Sequence, residues 1–159
     1  MLVFDGGGDA QRLHGLGHVV DALERSGVRF AFMGALGAIA WGRARTTSDL
    51  DAVVVVSEAQ FASLSAELRS RGFTVGQGVG PAEPTDSLPD IAQFWLGSDP
   101  AVRVDVFVAK LPFENEVVDT ALDATLFDRV VRVARPEAMI VYKLLASREK
   151  DLTDFDAIV

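Results

Sequence analysis

The segment Asp49 to Val56, DLDAVVVV, constrains this chain more than any other, because two carboxylates one residue apart stand at the mouth of an unbroken apolar run. Its second half is β-branched throughout, which reads as a strand in the interior of a sheet. Residues i and i+2 of a strand point to the same side, so Asp49 and Asp51 project together while Leu50 enters the opposite layer. Two like charges held side by side are unfavourable unless water, cationic side chains or a bound cation offsets them. A divalent metal is the simplest such partner.

The rest of the sequence supplies the layers such a strand needs. Leu13, Leu16, Val20 and Leu23 fall at helical spacing between Ala10 and Ser26, and Gly27 ends that helix. Val28 to Met33 reads as a buried strand running into Gly34, followed by a helix of small residues from Ala35 to Trp41. Ser57 is placed to cap a helix over Glu58 to Arg71, and Phe73 to Val79 reads as a further strand. The Gly-, Pro-, Asp- and Ser-rich stretch Gly76 to Leu88 is expected to be a mobile surface loop. Ile91 to Leu96 and Val102 to Val108 are strands joined by Gly97, Ser98, Asp99 and Pro100, which is hairpin turn chemistry. Glu114 to Ala121 reads as a helix and Arg129 to Ala134 as a strand. Pro136 opens a helix to Arg148, and Leu152 to Val159 adds a last helical turn or two. Helices and strands interleave while the hairpin keeps the sheet from being purely parallel. The expectation is an α/β (α+β) fold, a mixed β-sheet flanked by helices, in one domain spanning residues 1–159.

Charge narrows the class of partner. A net charge of −8 argues against broad binding to nucleic acid, which depends on clustered Lys and Arg. No apolar run approaches the ~20 residues needed to cross a bilayer, so no membrane partner is expected. The start, MLVFDGGGDAQ, lacks the cationic and long apolar regions of a signal peptide, and there is no cysteine, so a cytoplasmic location is expected. Arg43 and Arg45 precede the aspartates, and Lys143, Arg148 and Lys150 recur near the end. An acidic metal site with a few cations around it suits a nucleoside triphosphate better than a long polymer.

In VRVDVFV, Val102, Val104, Val106 and Val108 share one face, which leaves Asp105 on the other with Arg103 and Phe107. Other patterns carry less. His14 and His18 have zinc-ligand spacing without a third ligand, and they fit a solvated helix face. Gly6, Gly7 and Gly8 lack the Gly-Lys-Ser/Thr of a phosphate-binding loop. The alternation of Gly76, Gly78 and Gly80 is loop-like. Asp151, Asp154 and Asp156 lack the glycine and terminal Glu of a calcium loop.

The order of these features resembles the nucleotidyltransferase superfamily with the polymerase-β-like palm: a hydrophobic residue and Gly (Met33, Gly34), a helix, an Asp-hydrophobic-Asp strand (Asp49, Leu50, Asp51), and a third acidic residue on a later strand (Asp105). The RTTSDLD approach and the closing ARPEAMIVYKLLASREKDLTDF segment are similar to small bacterial nucleotidyltransferases of abortive-infection and toxin-antitoxin systems. The resemblance implies two Mg2+ ions held by Asp49, Asp51 and Asp105, with Asp105 also accepting the acceptor's proton. It implies a nucleoside triphosphate held by the Gly34 and Ala35 backbone and by Arg45 and Lys143. It further implies nucleoside monophosphate transfer to a hydroxyl of a protein, a tRNA end or a small molecule such as an aminoglycoside. A protein antitoxin partner belongs to the same expectation. Ala35 departs from the pattern, where the family has Ser or Gly, so no serine hydroxyl is available to a phosphate.

Plainer readings stand beside these. The paired aspartates could be a solubilising strand end, Asp105 and Arg103 a surface ion pair, Lys143 an exposed helix residue, and Arg43 and Arg45 loop charges. Ala35 also supports a module that binds nucleotide or a partner without catalysis. Trp41, Phe94 and Trp95 are the residues that would carry a homodimer surface.

Overall fold

The computed structural model describes residues 8–43, 47, 49–97 and 102–146. Helix α1 (Gly8–Arg25) leads through a left-handed Gly27 into β1 (Arg29–Met33), and α2 (Gly34–Ala40) follows without a linker. Strand β2 (Asp49–Val55), helix α3 (Glu58–Ser70) and a two-residue β3 (Thr74–Val75) come next. Then follow β4 (Ile91–Leu96), β5 (Val102–Val108), α4 (Pro112–Asp119), β6 (Leu122–Leu126), β7 (Arg129–Val133) and α5 (Pro136–Ala146). The strands form one sheet in the order β3-β4-β5-β2-β1-β7-β6. β2 runs parallel to β5 and antiparallel to β1, while β1 runs parallel to β7, so the sheet is mixed as expected.

The period-2 pattern of β2 and β5 sorts side chains into two layers. Leu50, Ala52 and Val54, with Val104, Val106 and Val108, join Phe30 and Phe32 under α1 (Leu16, Val19, Val20, Leu23) and α3 (Leu64, Leu68). On the opposite face Ala31, Met33 and Val53 pack against Ala38 of α2, Val117 and Val118 of α4, and Met139 of α5. Val53 and Val54 are both fully buried, which places β2 in the middle of the molecule. Each fully buried Leu or Val contributes about 1.5–3 kcal/mol, against about 0–1 kcal/mol for an exposed ion pair such as Arg29–Asp119. Apolar burial therefore fixes the strand order and surface charge only trims it.

Local chemistry explains the element ends. Ser57 Oγ accepts from the Gln60 N–H at 3.2 Å while Gln60 Oε1 accepts from the Ser57 N–H at 3.0 Å, a reciprocal capping box at the start of α3. Helix α4 begins two residues before the expected Glu114, because Pro112 fits its first turn and Glu114 accepts the N–H groups of Lys110 and Leu111.

Other expectations need correction. The strand expected over Phe73 to Val79 is reduced to Thr74–Val75 plus a single bridge from Val79 to Ile91. Gly78 interrupts it with φ +55, where a Cβ would lie 2.4 Å from the Ile91 carbonyl oxygen. The loop expected to be mobile is tied down at several points. Lys110 pairs with Asp86 and donates to the Leu88 carbonyl at 2.9 Å, and Val79 exchanges hydrogen bonds with Asp90 and Ile91. Strand β6 was not expected at all. It pairs antiparallel with β7 through a turn at Phe127 and Asp128, both at positive φ, a two-residue connection that Asn-Gly would have signalled and Phe-Asp does not. Of the expected turn Gly97 is described, at φ +80, while Ser98, Asp99 and Pro100, the end of the helix near Arg148 and the turns over Leu152 to Val159 lie outside the described residues.

Candidate functional site

Strand register assembles the acidic face. Along the parallel pair β2 and β5, Asp49 stands opposite Arg103 and Asp51 opposite Asp105, while antiparallel β4 adds Trp95 opposite Arg103 and Gln93 opposite Asp105. Paired residues point to the same side of a sheet. The result is two adjacent rows, Asp49–Arg103–Trp95 and Asp51–Asp105–Gln93.

Each row is fixed by local structure. The Thr47 hydroxyl accepts the Asp49 N–H and donates to the Asp49 carbonyl, both at 3.0 Å, and so anchors the start of β2. Met33 pairs with Asp51 across β1 and β2, and the chain then turns into α2 at Gly34 with φ +63. A Cβ at Gly34 would lie 2.2 Å from Asp51 Oδ2. Glycine is required there by backbone conformation and by the closeness of the Asp51 carboxylate. Gly76 plays a similar part for Trp95, since a Cβ there would meet the indole Nε1 at 2.6 Å.

The electrostatics are uneven. Arg103 Nη2 lies 2.9 Å from Asp49 Oδ2 and 3.2 Å from Asp105 Oδ2, bridging two of the three aspartates. Asp105 is only 8% exposed, and its Oδ1 is buried without a hydrogen-bond partner. Burial pushes the Asp105 carboxyl above the usual carboxylate range; Arg103 opposes the shift, Asp49 adds to it, and a hydrogen bond with Gln93 opposes it. The ion pair of Asp105 with Arg103 is thus present, but on a buried carboxylate. Among the described residues the aspartates do not stand as a ready three-ligand cage. Their chemistry nonetheless fits a hard divalent cation: the donors are all carboxylate oxygens on one face, and Asp105 Oδ1 is buried without a hydrogen-bond partner.

The remaining expected residues are placed as follows. Ala35 is buried in the first turn of α2, whose N-cap Met33 supplies no side-chain hydrogen bond. Helix α5 closes on α2 at Gly37, where a Cβ would meet Met139 Sδ at 2.6 Å. Lys143 lies one turn beyond Met139 on the same face of α5 and is half-buried. The Arg43 N–H donates to the Ala38 carbonyl at 2.9 Å in the exit from α2. Arg45 lies outside the described residues. His14 and His18 touch each other at 2.8 Å on α1, with His18 Nδ1 3.4 Å from Arg71. Of the expected homodimer residues, Phe94 is a core side chain at 1% exposure, Trp95 lies in the acidic face, and Trp41 donates to the Ala134 carbonyl at 2.9 Å. That set does not form one apolar surface.

Sequence reasoning missed Gln93, Trp95 and Thr47, and gave Arg103 no part in the site. Cross-strand register decides three of these, and no spacing within one strand reveals it.

In sequence, no protein-family model matches the chain and no curated protein matches it. In structure it is similar to ANT(2'')-Ia in complex with adenylyl-2''-tobramycin (TM-score 0.59, 16% identity, covering 86% of this chain and 76% of that one). It is similar also to the lincosamide antibiotic adenylyltransferase LnuA with lincomycin bound (TM-score 0.63, 15% identity, 90% and 93%). A third similar structure is an antigenic nucleotidyltransferase-like protein from Paracoccidioides brasiliensis (TM-score 0.61, 20% identity, 93% and 74%). The chain has the polymerase-β-like nucleotidyltransferase fold. Among the described residues, no helix is long and apolar enough to cross a membrane.

Proposed function

We propose that this chain binds a nucleoside triphosphate with Mg2+ and transfers its nucleoside monophosphate to a hydroxyl of a small-molecule acceptor. One observation carries the reading: Asp51 and Asp105 are neighbours in register on interior strands, with Gly34 pressed against Asp51 and one Asp105 oxygen buried without a partner. A strand end that merely solubilises would not bury a carboxylate.

Asp49 and Asp51 would hold two Mg2+ ions and Asp105 would complete the set. When bound, such ions supply neutralisation of phosphate charge and acidification of the acceptor hydroxyl. The hydroxyl oxygen forms a bond to the α-phosphorus, the bond to the bridging oxygen breaks, and pyrophosphate leaves with that electron pair. Asp105 would take the hydroxyl proton. Backbone N–H groups at Gly34 and Ala35 would bind the phosphates, and Arg45 and Lys143 would serve as counter-charges for the leaving group. A small acceptor is favoured over a tRNA end by the net charge of −8 and by the antibiotic acceptors of ANT(2'')-Ia and LnuA.

The test has two parts. With α-labelled ATP, Mg2+ and a panel of aminoglycosides and lincosamides, a labelled acceptor is expected from the native chain and none from Asp51→Ala. Calorimetry of triphosphate and Mg2+ binding checks the site itself, and unchanged binding in Asp49→Ala and Asp51→Ala overturns it. Ala35 favours a second reading, a module that binds nucleotide without turnover. Any labelled product that needs Asp49 eliminates that reading.

A further inference from the structure

The cation already present at the acidic face is Arg103. We infer that Arg103 is a resident counter-cation of the carboxylate cluster, and that a divalent ion enters only by displacing its guanidinium; this rests on the metal-site reading above. A single nitrogen, Nη2, donates a charge-assisted hydrogen bond to Asp49 Oδ2 at 2.9 Å and stands in ion-pair contact with Asp105 Oδ2 at 3.2 Å. Mg2+ needs carboxylate oxygens at about 2.0–2.1 Å and repels a guanidinium held on the same oxygens. The two cations therefore compete for one place.

The arginine's hold is also incomplete at both ends. Asp105 Oδ1 and Arg103 Nε are each buried without a hydrogen-bond partner, so the bridge leaves one acceptor and one donor unsatisfied. A buried polar network with unmade bonds is held less firmly than a complete one. Trp95 already contacts the bridging guanidinium. Its ring centroid lies 5.9 Å from the guanidinium carbon, on the neighbouring strand and in the same row. An aromatic face stabilises a partly desolvated cation independently of the carboxylates, so it can keep Arg103 beside the site once the bridge is broken. In this arrangement Arg103 neutralises the aspartates of the free protein and vacates them when metal and nucleotide arrive.

The experiment measures Mn2+ binding by electron paramagnetic resonance on the full chain without nucleotide, comparing the native protein with Arg103→Met. If the bridged state is populated nine times in ten or more, removing it tightens Mn2+ binding by about tenfold or more. The same variant should melt lower in EDTA and recover with Mn2+. Equal or weaker Mn2+ binding in a variant folded by circular dichroism overturns the inference and leaves the metal site standing. Absence of Mn2+ binding in both proteins overturns both. Should Arg103→Met not fold, the native chain gives the answer through its Arg103 guanidinium resonance. Mg2+ titration must shift that resonance, and an unmoved signal while Mg2+ binds overturns the displacement.

Discussion

Gly34 tolerates no side chain on two counts, its φ of +63 and the Asp51 oxygen 2.2 Å from where a Cβ would stand. Gly34→Ala should cost about 1–2 kcal/mol through the backbone alone. It should also push the Asp51 carboxylate out of its row, so nucleotide and Mg2+ binding measured by calorimetry should fall further than the thermal midpoint implies. Asp105 predicts the opposite balance. Its charge sits in a site that disfavours charge, so Asp105→Asn should melt no lower than the native chain while losing transfer of labelled nucleotide. A clear drop in melting temperature would mean that the carboxylate stabilises the fold. The aspartates were legible at this scale because a period of two along a strand needs no tertiary knowledge. The Arg103–Asp105 pair was legible in the same way, but the pairing of Arg103 with Asp49 was not, because Asp49 lies 54 positions away and meets it only through the parallel register of two strands.

At the scale of elements, the side of the molecule away from the acidic face is held by a charged latch. Asp21 of α1 accepts from Arg129 of β7 at 2.6 Å and lies 3.7 Å from Arg71, which follows α3 and also meets Glu67. The hydrogen bond from Arg129 holds the Asp21 carboxyl below its ordinary 3.8. A depressed carboxyl adds stability that is present above the ordinary value and is lost as pH falls through the lower folded value. The urea midpoint of the native chain should thus exceed that of Asp21→Asn at pH 6, and the gap should close below pH 3.8. A gap that persists in acid would show that shape rather than charge matters there. Most elements could be read from apolar period and caps, as Ser57 and Pro136 illustrate. β6 could not, because the left-handed residues of its turn are Phe127 and Asp128, and Leu122 and Asp123 are exposed rather than alternating into the core. The chain closes this hairpin by packing, with Phe127 against the main core.

For the whole molecule, a site shared between β2, β5 and the start of α2 links ligand occupancy to global stability. Mg2+ with ATP at a hundred times Kd should add about 2.7 kcal/mol to unfolding, seen as a raised melting temperature. Asp51→Ala should abolish the gain, and a gain that survives it would place the ligand elsewhere. The sheet order adds a consequence of its own. From Asp51 onward β2 has strands on both sides, as β5 does, whereas β3 is a two-residue edge, so amide protons of Ala52, Val53 and Val104 should exchange with solvent deuterium chiefly when the sheet opens. Asp51 and Asp105 ride on this interior backbone, while Asp49 stands where β2 has a neighbour on one side only. The spacing of Asp51 and Asp105 is therefore inherited from global folding and persists while edges fray, so adjustment to substrate is expected in side chains and at the Asp49 end.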